Sequence, residues 1–261
     1  MINVSADMLM RWLGEYLWPF LRIGSCLMVA PVFGTKSVPA RARLVIAASI
    51  TVVLAPLIKS PTNIDIFSGT SLVITVQQML IGIALGFAVQ IIFDAVGVGG
   101  QLLANSMGLS FALNVDPLHG TSTPVLGQFY MIIATLTFLA LNGHLILLEC
   151  LLQSFTLLPI GTTGLGSDGL WMLVNFGGTL FSGALVIALP GIAAMLIVNF
   201  GFGIMSRAAP TLNLFAVGFP ATLALGLIIV LLGLPAMQSG FIHMLSSVWM
   251  LLTNLTSAAG S

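Results

Sequence analysis

Charged residues are scarce in this sequence. Lys and Arg number 7 and Asp and Glu number 7, so only 5% of the 261 residues carry a charge, whereas soluble domains carry about 25%. A water-exposed globule would lack the charges needed to cover its surface, which excludes an ordinary soluble domain. The formal net charge is +0, and without clustered Lys and Arg a nucleic-acid partner is also excluded. Hydrophobic residues make up 58% of the chain instead, as expected for an integral membrane protein.

Cysteine is nearly absent. Cys26 and Cys150 lie inside apolar stretches and form no CxxC or Cys/His pattern, so we expect two free buried thiols and no metal site. The first residues include Asp7 and Glu15 and lack a basic region followed by a cleavage site. We therefore expect this segment to be retained as the first helix.

Catalytic motifs are missing as well. The sequence has no Walker A and no GxGxxG motif, and its GLSF segment lacks the second glycine of a nucleophile elbow. His144 and Glu149 are five residues apart, which does not place them on one helical face. His243 stands alone in an apolar stretch, where we expect a core residue. The prediction is a protein that is not an enzyme and has no cofactor.

Six apolar tracts dominate the chain and predict an all-α fold of about six long, kinked helices arranged as hairpins. The second tract is short for a membrane span, while the third to fifth exceed 30 residues. Gly and Pro predict kinks in these long tracts, at Gly97, Gly99 and Gly100, at Asn142 and Gly143, and at Pro190 and Gly191. The tracts cover residues 9–32, 44–58, 72–103, 125–158, 170–205 and 214–252.

A few ionisable residues fall inside the tracts and are candidates for function. Arg11, Glu15 and Arg22 lie on neighbouring turns of the first helix, and because Glu15 is four residues after Arg11 we expect a local ion pair between these two. Asp94 is expected either to pair with an Arg from elsewhere or to cap a helix that restarts at Gly97.

Basic residues in the connections set the orientation. Residues 34–43 include Lys36, Arg41 and Arg43, and Arg207 follows the fifth tract. The positive-inside rule places both connections in the cytoplasm.

Small residues recur along the tracts, as in GIALGF (82–87), GVGG (97–100), NFGGTLFSGA (175–184) and NFGFG (199–203). Helices in membranes use small residues for close backbone approach. Because these residues lie on more than one face of a helix, we expect some of them to contact helices of other subunits, with packing inside the chain as the alternative. The turn at 161–169 is interpreted as a seam between two halves.

The segment 105–124 is longer than a helix connection needs to be. Apolar side chains alternate with small residues along it, at Met107, Leu109, Phe111, Leu113 and Val115. An irregular apolar backbone at membrane depth must be buried in protein or line a cavity. We therefore predict an ordered internal loop.

Three motifs resemble the FliR family (FliR/SpaR/YscT/EscT), whose members are export-gate proteins of flagellar and virulence type III secretion systems. They are the pattern from Pro31 to Arg43 (PVFGxxxVPxxxR), the stretch 107–117 with its continuation TPVLGQF, and SRAAPTLNLFAVGFP at 206–220. The likeness extends along essentially the whole chain and is specific because all three motifs occur in order.

The resemblance implies one copy of the chain in a hetero-oligomeric helical assembly with several copies of FliP and FliQ. FlhB, FlhA, membrane lipid and unfolded substrates in transit would be further partners, with no nucleic acid. Residues 1–165 would form a FliP-like part that includes the loop 105–124, and residues 166–261 a FliQ-like hairpin. The location would be the bacterial inner membrane and the flagellum basal body.

The same resemblance implies two sets of site residues. The first set would plug the closed export pore and comprises Met107, Gly108, Leu109, Phe111, Leu113, Val115, Asp116 and Pro117. The second set would lie at the cytoplasmic entrance, in contact with FlhB, and comprises Arg207, Pro210, Phe215, Phe219 and Pro220. A passive loop and a positive-inside anchor with a helix break are the respective alternatives.

Other functions remain open from the sequence. A virulence export gate shares the motifs, and a secondary transporter would also have broken helices and a midplane carboxylate such as Asp94.

Overall fold

The described residues form helices joined by short connections, and no strand occurs among them. The structure, a computed structural model, describes residues 6–35, 38–58, 68–109, 125–208 and 214–258. This result confirms the all-α prediction. The helices are α1 (Ala6–Val29), α2 (Ala40–Leu54, extended by the 3-10 turn Ala55–Leu57), α3 (Gly69–Ser106), α4 (Val125–Ala140), α5 (Gly143–Leu157), α6 (Ser167–Phe176), α7 (Gly178–Ala208) and α8 (Leu214–Ala258).

Several of these helices have the length and hydropathy of membrane spans. They are α2 with its 3-10 turn, α3, the α6 and α7 pair over Ser167–Ala208, and Gly218–Leu255 of α8. The pair α4 and α5 forms a further span or a re-entrant segment, bent by 65°. The chain is therefore a membrane protein with up to five candidate spans among the residues searched, and α1 is not one of them.

The predicted break of the helix is confirmed in one tract, whereas in two others the helix continues through the predicted positions. The fourth tract breaks at Asn142, whose φ of 57° is left-handed. In contrast, α3 continues without interruption through Gly97, so these glycines do not break the helix and Asp94 caps no restart. The fifth tract breaks at Gly177, and α7 continues through Pro190. One missing amide donor is tolerated there because membrane helices adjust locally around proline.

Two compact units are formed by interleaved parts of the chain. Unit 1 comprises Met1–Ile91, Phe138–Gly177 and Ser246–Ser261, and unit 2 comprises Ile92–Thr137 and Gly178–Leu245. These units are defined by contacts, whereas the division at residue 165 follows the family resemblance and stays a prediction.

Glycines bring helix backbones together inside each unit. In unit 1, a Cβ added at Gly86 of α3 would lie 2.5 Å from the carbonyl oxygen of Cys26 in α1. In unit 2, a Cβ at Gly100 would lie 2.9 Å from the Cα of Gly127 in α4. No side chain fits at such positions, so packing within the chain explains GIALGF and GVGG. Contacts with helices of other subunits are therefore not needed to explain the glycines of these two segments.

Other helical glycines have no such explanation. An added Cβ at Gly178, Gly201 or Gly203 of α7, or at Gly233 of α8, would meet no described atom within 4 Å. Glycine costs about 1 kcal/mol relative to alanine inside a helix. Packing within the described part of the chain therefore does not account for these four residues.

Candidate functional site at the ends of the 110–124 segment

Helix α3 ends in a defined C-terminal cap shortly before residues 110–124. Gly108 has a φ of 79°, a left-handed conformation that glycine adopts without steric cost. Its amide donates to the Asn105 carbonyl at 3.1 Å, and the Leu109 amide donates to the Ala104 carbonyl at 3.1 Å. This pair of bonds is the Schellman motif, which terminates helices. The predicted bending role of Gly108 thus has a specific form, the termination of α3.

Met107 fixes this end of α3 within unit 2. Its side chain is only 1% exposed, and it packs so closely on α8 that a Cβ at Gly226 would lie 2.5 Å from its Cε atom. Asn199 of α7 donates to the Ser106 carbonyl at 3.2 Å, which satisfies one of the carbonyls left over at the helix end.

Both ends of the segment lie on one apolar cavity of about 500 Å³ in unit 2. Leu109, the last described residue before the segment, and Val125, the first after it, line this cavity. The rest of the wall comes from the end of α3, from α4 and from α8 and is also apolar, with Met107, Leu126, Phe129, Leu227, Val230 and Leu231. A cavity without hydrogen-bonding side chains favours hydrocarbon over water.

The predicted site residues are therefore placed only in part. Met107, Gly108 and Leu109 lie together at the end of α3. The remaining plug residues lie outside the described residues, namely Phe111, Leu113, Val115, Asp116 and Pro117.

The second predicted set, at the expected cytoplasmic entrance, comes from the end of α7, the start of α8 and the residues between them. Arg207 is exposed in the last turn of α7, where a positive charge interacts favourably with the helix dipole. Phe219 and Pro220 are exposed near the start of α8. Pro210 and the side chain of Phe215 lie outside the described part of the chain.

Unit 1 contains a buried polar cluster around Arg22 that sequence reasoning missed. The Arg22 side chain is 0% exposed, and its Nε donates to Gln78 Oε1 of α3 at 2.8 Å. Nη1 donates to the carbonyl and hydroxyl oxygens of Ser154, at 2.8 and 3.1 Å, and Nη2 donates to the Leu158 carbonyl at 2.9 Å. The guanidinium carbon also lies 4.2 Å from the centre of the Phe155 ring. One side chain thus links α1 and α3 to the C-terminal end of α5.

The cluster neutralises its charge through dipoles. Arg22 has neutral partners in the described structure. The expected ion pair of Arg11 with Glu15 involves the Arg11 side chain, which lies outside the described residues. The carbonyls at the end of α5 carry the negative pole of that helix and stabilise the cation. Burial lowers the pKa of Arg22 to about 9, which leaves the guanidinium protonated at neutral pH. The sequence does indicate that Arg22 has no local ion-pair partner. No carboxylate occurs one turn away from it, where the residues are Trp18, Pro19, Ser25 and Cys26.

The two histidines, Glu149 and the cysteines that the sequence singled out are spread over several environments. His243 is exposed, so its expected place in the core is wrong, and Glu149 is exposed and accepts a bond from Gln153. His144 is half-buried. Cys26 is buried and Cys150 half-buried, and both thiols are free as predicted. The residues searched contain no group of metal-binding side chains.

Comparison with known sequences identifies the class of protein. The profile of the family described as bacterial export proteins, family 1, matches residues 13–248. A chain of long apolar helices whose length is covered almost entirely by this profile is a bacterial membrane export protein.

Individual relatives define the family more narrowly. The flagellar biosynthetic protein FliR of Escherichia coli (strain K12) is 38% identical over 98% of both chains. The protein of the same name from Pectobacterium carotovorum is 34% identical over 100% of both chains, and that of Bacillus subtilis (strain 168) is 28% identical over 83% of this chain and 84% of its own length. The chain belongs to the FliR family of flagellar biosynthetic proteins, which confirms the resemblance seen in its motifs.

Replacing Arg22 by Ala should destabilise unit 1 severely. The change leaves Gln78 Oε1 and the Leu158 carbonyl without the donor that Arg22 supplies, and each unsatisfied buried polar group costs about 1–3 kcal/mol. Lysine should not restore stability, because it cannot form the planar fork of bonds that Arg22 makes. Thermal unfolding of the purified chain in mild detergent measures the effect.

The exposed Arg41 provides the control, since Arg41→Ala removes the same charge with no buried partner. Equal melting temperatures for Arg22→Ala and Arg41→Ala would show that the cluster contributes nothing to stability.

Proposed function

We propose that this chain is a subunit of the flagellar type III protein export gate in the bacterial inner membrane, at the flagellum basal body. With FliP and FliQ it forms a closed pore through which unfolded flagellar proteins leave the cell. The FliR family membership supports this role, and the flagellar names of the relatives favour a flagellar machine over a virulence system. Those names describe a biosynthetic role and the family description an export role, which fits the prediction that the chain is not an enzyme.

The length of apolar surface on α8 carries the proposal of a hetero-oligomer. This helix has 45 residues and is about 68 Å long at 1.5 Å per residue. Large apolar side chains are exposed along it from Phe219 to Met250, a distance of about 46 Å. The hydrocarbon layer of a bilayer is about 30 Å thick. Lipid alone therefore leaves part of this surface to be covered by other protein chains.

The glycines without internal contacts support the same conclusion. Gly201 and Gly203 lie near exposed Phe200, Ile204 and Met205 at the C-terminal end of α7. Small residues flanked by large apolar ones allow a second helix to approach closely. We assign this surface to contacts with unlike helical subunits of the gate.

We assign the plug of the pore to the 105–124 segment. Leu109 and Val125, the described residues on either side of 110–124, line one apolar cavity, and the alternating Phe111, Leu113 and Val115 supply further apolar side chains. A constriction formed by such groups blocks ions by excluding water. Asp116 and Pro117 then form the turn that leads the chain back.

We assign Arg207, Phe219 and Pro220 to the cytoplasmic entrance of the pore. The exposure of all three residues in this chain leaves them accessible to FlhB. Pro210 and Phe215 belong to the same motif, and FlhA would be a further partner of the export apparatus.

Deleting residues 108–116 should make cells leaky to ions and small solutes while the complex still assembles. The apolar stopper is lost, whereas the surfaces assigned to subunit contacts on α7 and α8 are unchanged. Conductance of the purified complex in planar bilayers measures the effect. The triple variant Phe111→Ser, Leu113→Ser, Val115→Ser tests the same point with Gly108 and the end of α3 intact.

A matched control replaces residues 119–122 of the same segment by Gly-Ser-Gly-Ser, which leaves the apolar side chains in place. It should conduct no more than the wild type. An assembled triple variant that is as tight as this control would overturn the plug assignment.

Replacing Gly178 by Leu should reduce recovery of the complex without preventing membrane insertion. An added Cβ at Gly178 meets no described atom of this chain within 4 Å, so we expect the steric effect of leucine to fall on a partner helix. Gly82→Leu is the matched control, because a side chain there collides with Arg22 and Ser25 in unit 1 and should destabilise the chain itself. Co-purification of tagged variants with FliP and FliQ measures assembly, and full recovery of the Gly178→Leu complex would contradict the assignment.

A further inference from the structure

A second cavity of about 210 Å³ lies in unit 1, between α1, α2 and α3. Its wall is mostly apolar and includes Phe20 and Met28 of α1, Leu44 of α2 and Met79 of α3. Met28, Leu44 and Met79 are 61%, 55% and 40% exposed, so the cavity opens to the outside of this chain. An open apolar cavity on a membrane protein is suited to a hydrocarbon chain.

Arg43 gives the wall of this cavity a positive charge. Its Nη2 donates to the carbonyls of Thr35 and Val38, each at 2.9 Å, which holds the guanidinium in place. Its Nε is buried and has no hydrogen-bond partner in the described structure. A buried donor without an acceptor is costly, and an anionic oxygen would satisfy it.

The start of α2 adds to the attraction for an anion. Pro39 precedes the helix and supplies no side-chain cap, and the first turn contains no acidic residue. The amides of the first turn therefore keep their positive partial charge. Residues 34–43 contain Lys36, Arg41 and Arg43 and no Asp or Glu.

Arg43 lies in the first turn of a candidate membrane span, which begins at Ala40. Basic residues at this level interact with anionic lipids of the cytoplasmic leaflet. The positive-inside rule places the same connection on the cytoplasmic side.

We propose that this cavity binds an anionic phospholipid, whose phosphate contacts Arg43 and whose acyl chain lies along Phe20, Met28 and Met79. The site is separate from the 105–124 segment, and the inference does not depend on a plug. An acyl chain would cover apolar side chains that this chain leaves exposed, while the phosphate would accept the hydrogen bond from Arg43 Nε.

Native mass spectrometry of the delipidated full-length chain, alone or with its partners, tests this site. The protein is titrated with phosphatidylglycerol and, separately, with phosphatidylcholine of the same acyl chains. We expect tighter binding of phosphatidylglycerol and a loss of about fivefold in its affinity for Arg43→Gln, the contribution of one basic residue near a headgroup. Arg41→Gln is the matched control, because Arg41 carries the same charge two residues away but is not among the residues that line the cavity.

Ala40→Phe tests the same site without changing charge, since Ala40 lines the cavity and is exposed. We expect its bulk to displace the acyl chain and to reduce phosphatidylglycerol binding in a chain that still folds. If Arg43→Gln fails to fold, phosphatidylglycerol binding by Ala40→Phe tests the site in its place. Equal affinity of the wild type for the two lipids would overturn the proposal, as would equal losses in the two arginine variants or unchanged binding by Ala40→Phe.

Discussion

The length of the apolar helices, set against a hydrocarbon layer of about 30 Å, is the constraint on which the rest of the structure depends. Helix α3 has 38 residues and α8 has 45, so each exceeds the roughly 20 residues needed to cross a bilayer. Apolar surface outside the bilayer must be covered by protein. Part of the cover on α3 comes from α1, through Gly86, and from α4, through Gly100. The exposed surfaces of α7 and α8 have no such cover in this chain, and we assign them to partner subunits.

The buried charge of Arg22 in unit 1 is held by neutral hydrogen-bond acceptors in the described structure and not by a counter-ion. Arg22 donates to the end of α5 and to Gln78, so the position of three helices depends on one side chain. Such a network fixes geometry more strictly than apolar packing does, because any shift leaves a buried donor or acceptor unpaired. Arg43 Nε, in contrast, is a buried donor without an acceptor in the described structure. This unpaired donor is one of the reasons for proposing a ligand in the cavity that Arg43 lines.

Much of the fold was predictable from the sequence, because long apolar tracts leave few alternatives to membrane helices. Each of the six predicted tracts coincides largely with one or two helices, and the break at Asn142 was placed correctly. Gly97 and Pro190 were misread as breaks, since a glycine that breaks a helix and one that packs against a neighbour look alike in sequence. The role of Arg22 depends on Ser154, 132 residues away, and no local pattern reveals such a contact. Of the candidate site, the structure places Met107 to Leu109 and Arg207, and the remaining assignments stay predictions.

The central claim is that this chain works as one subunit among unlike partners. Native mass spectrometry of the tagged chain, expressed with and without FliP and FliQ and purified in mild detergent, tests it most directly. The account predicts a discrete hetero-oligomer that contains one copy of this chain and several copies of each partner. A stable monomer or homodimer that recruits neither partner would contradict it and would favour a transporter that acts alone.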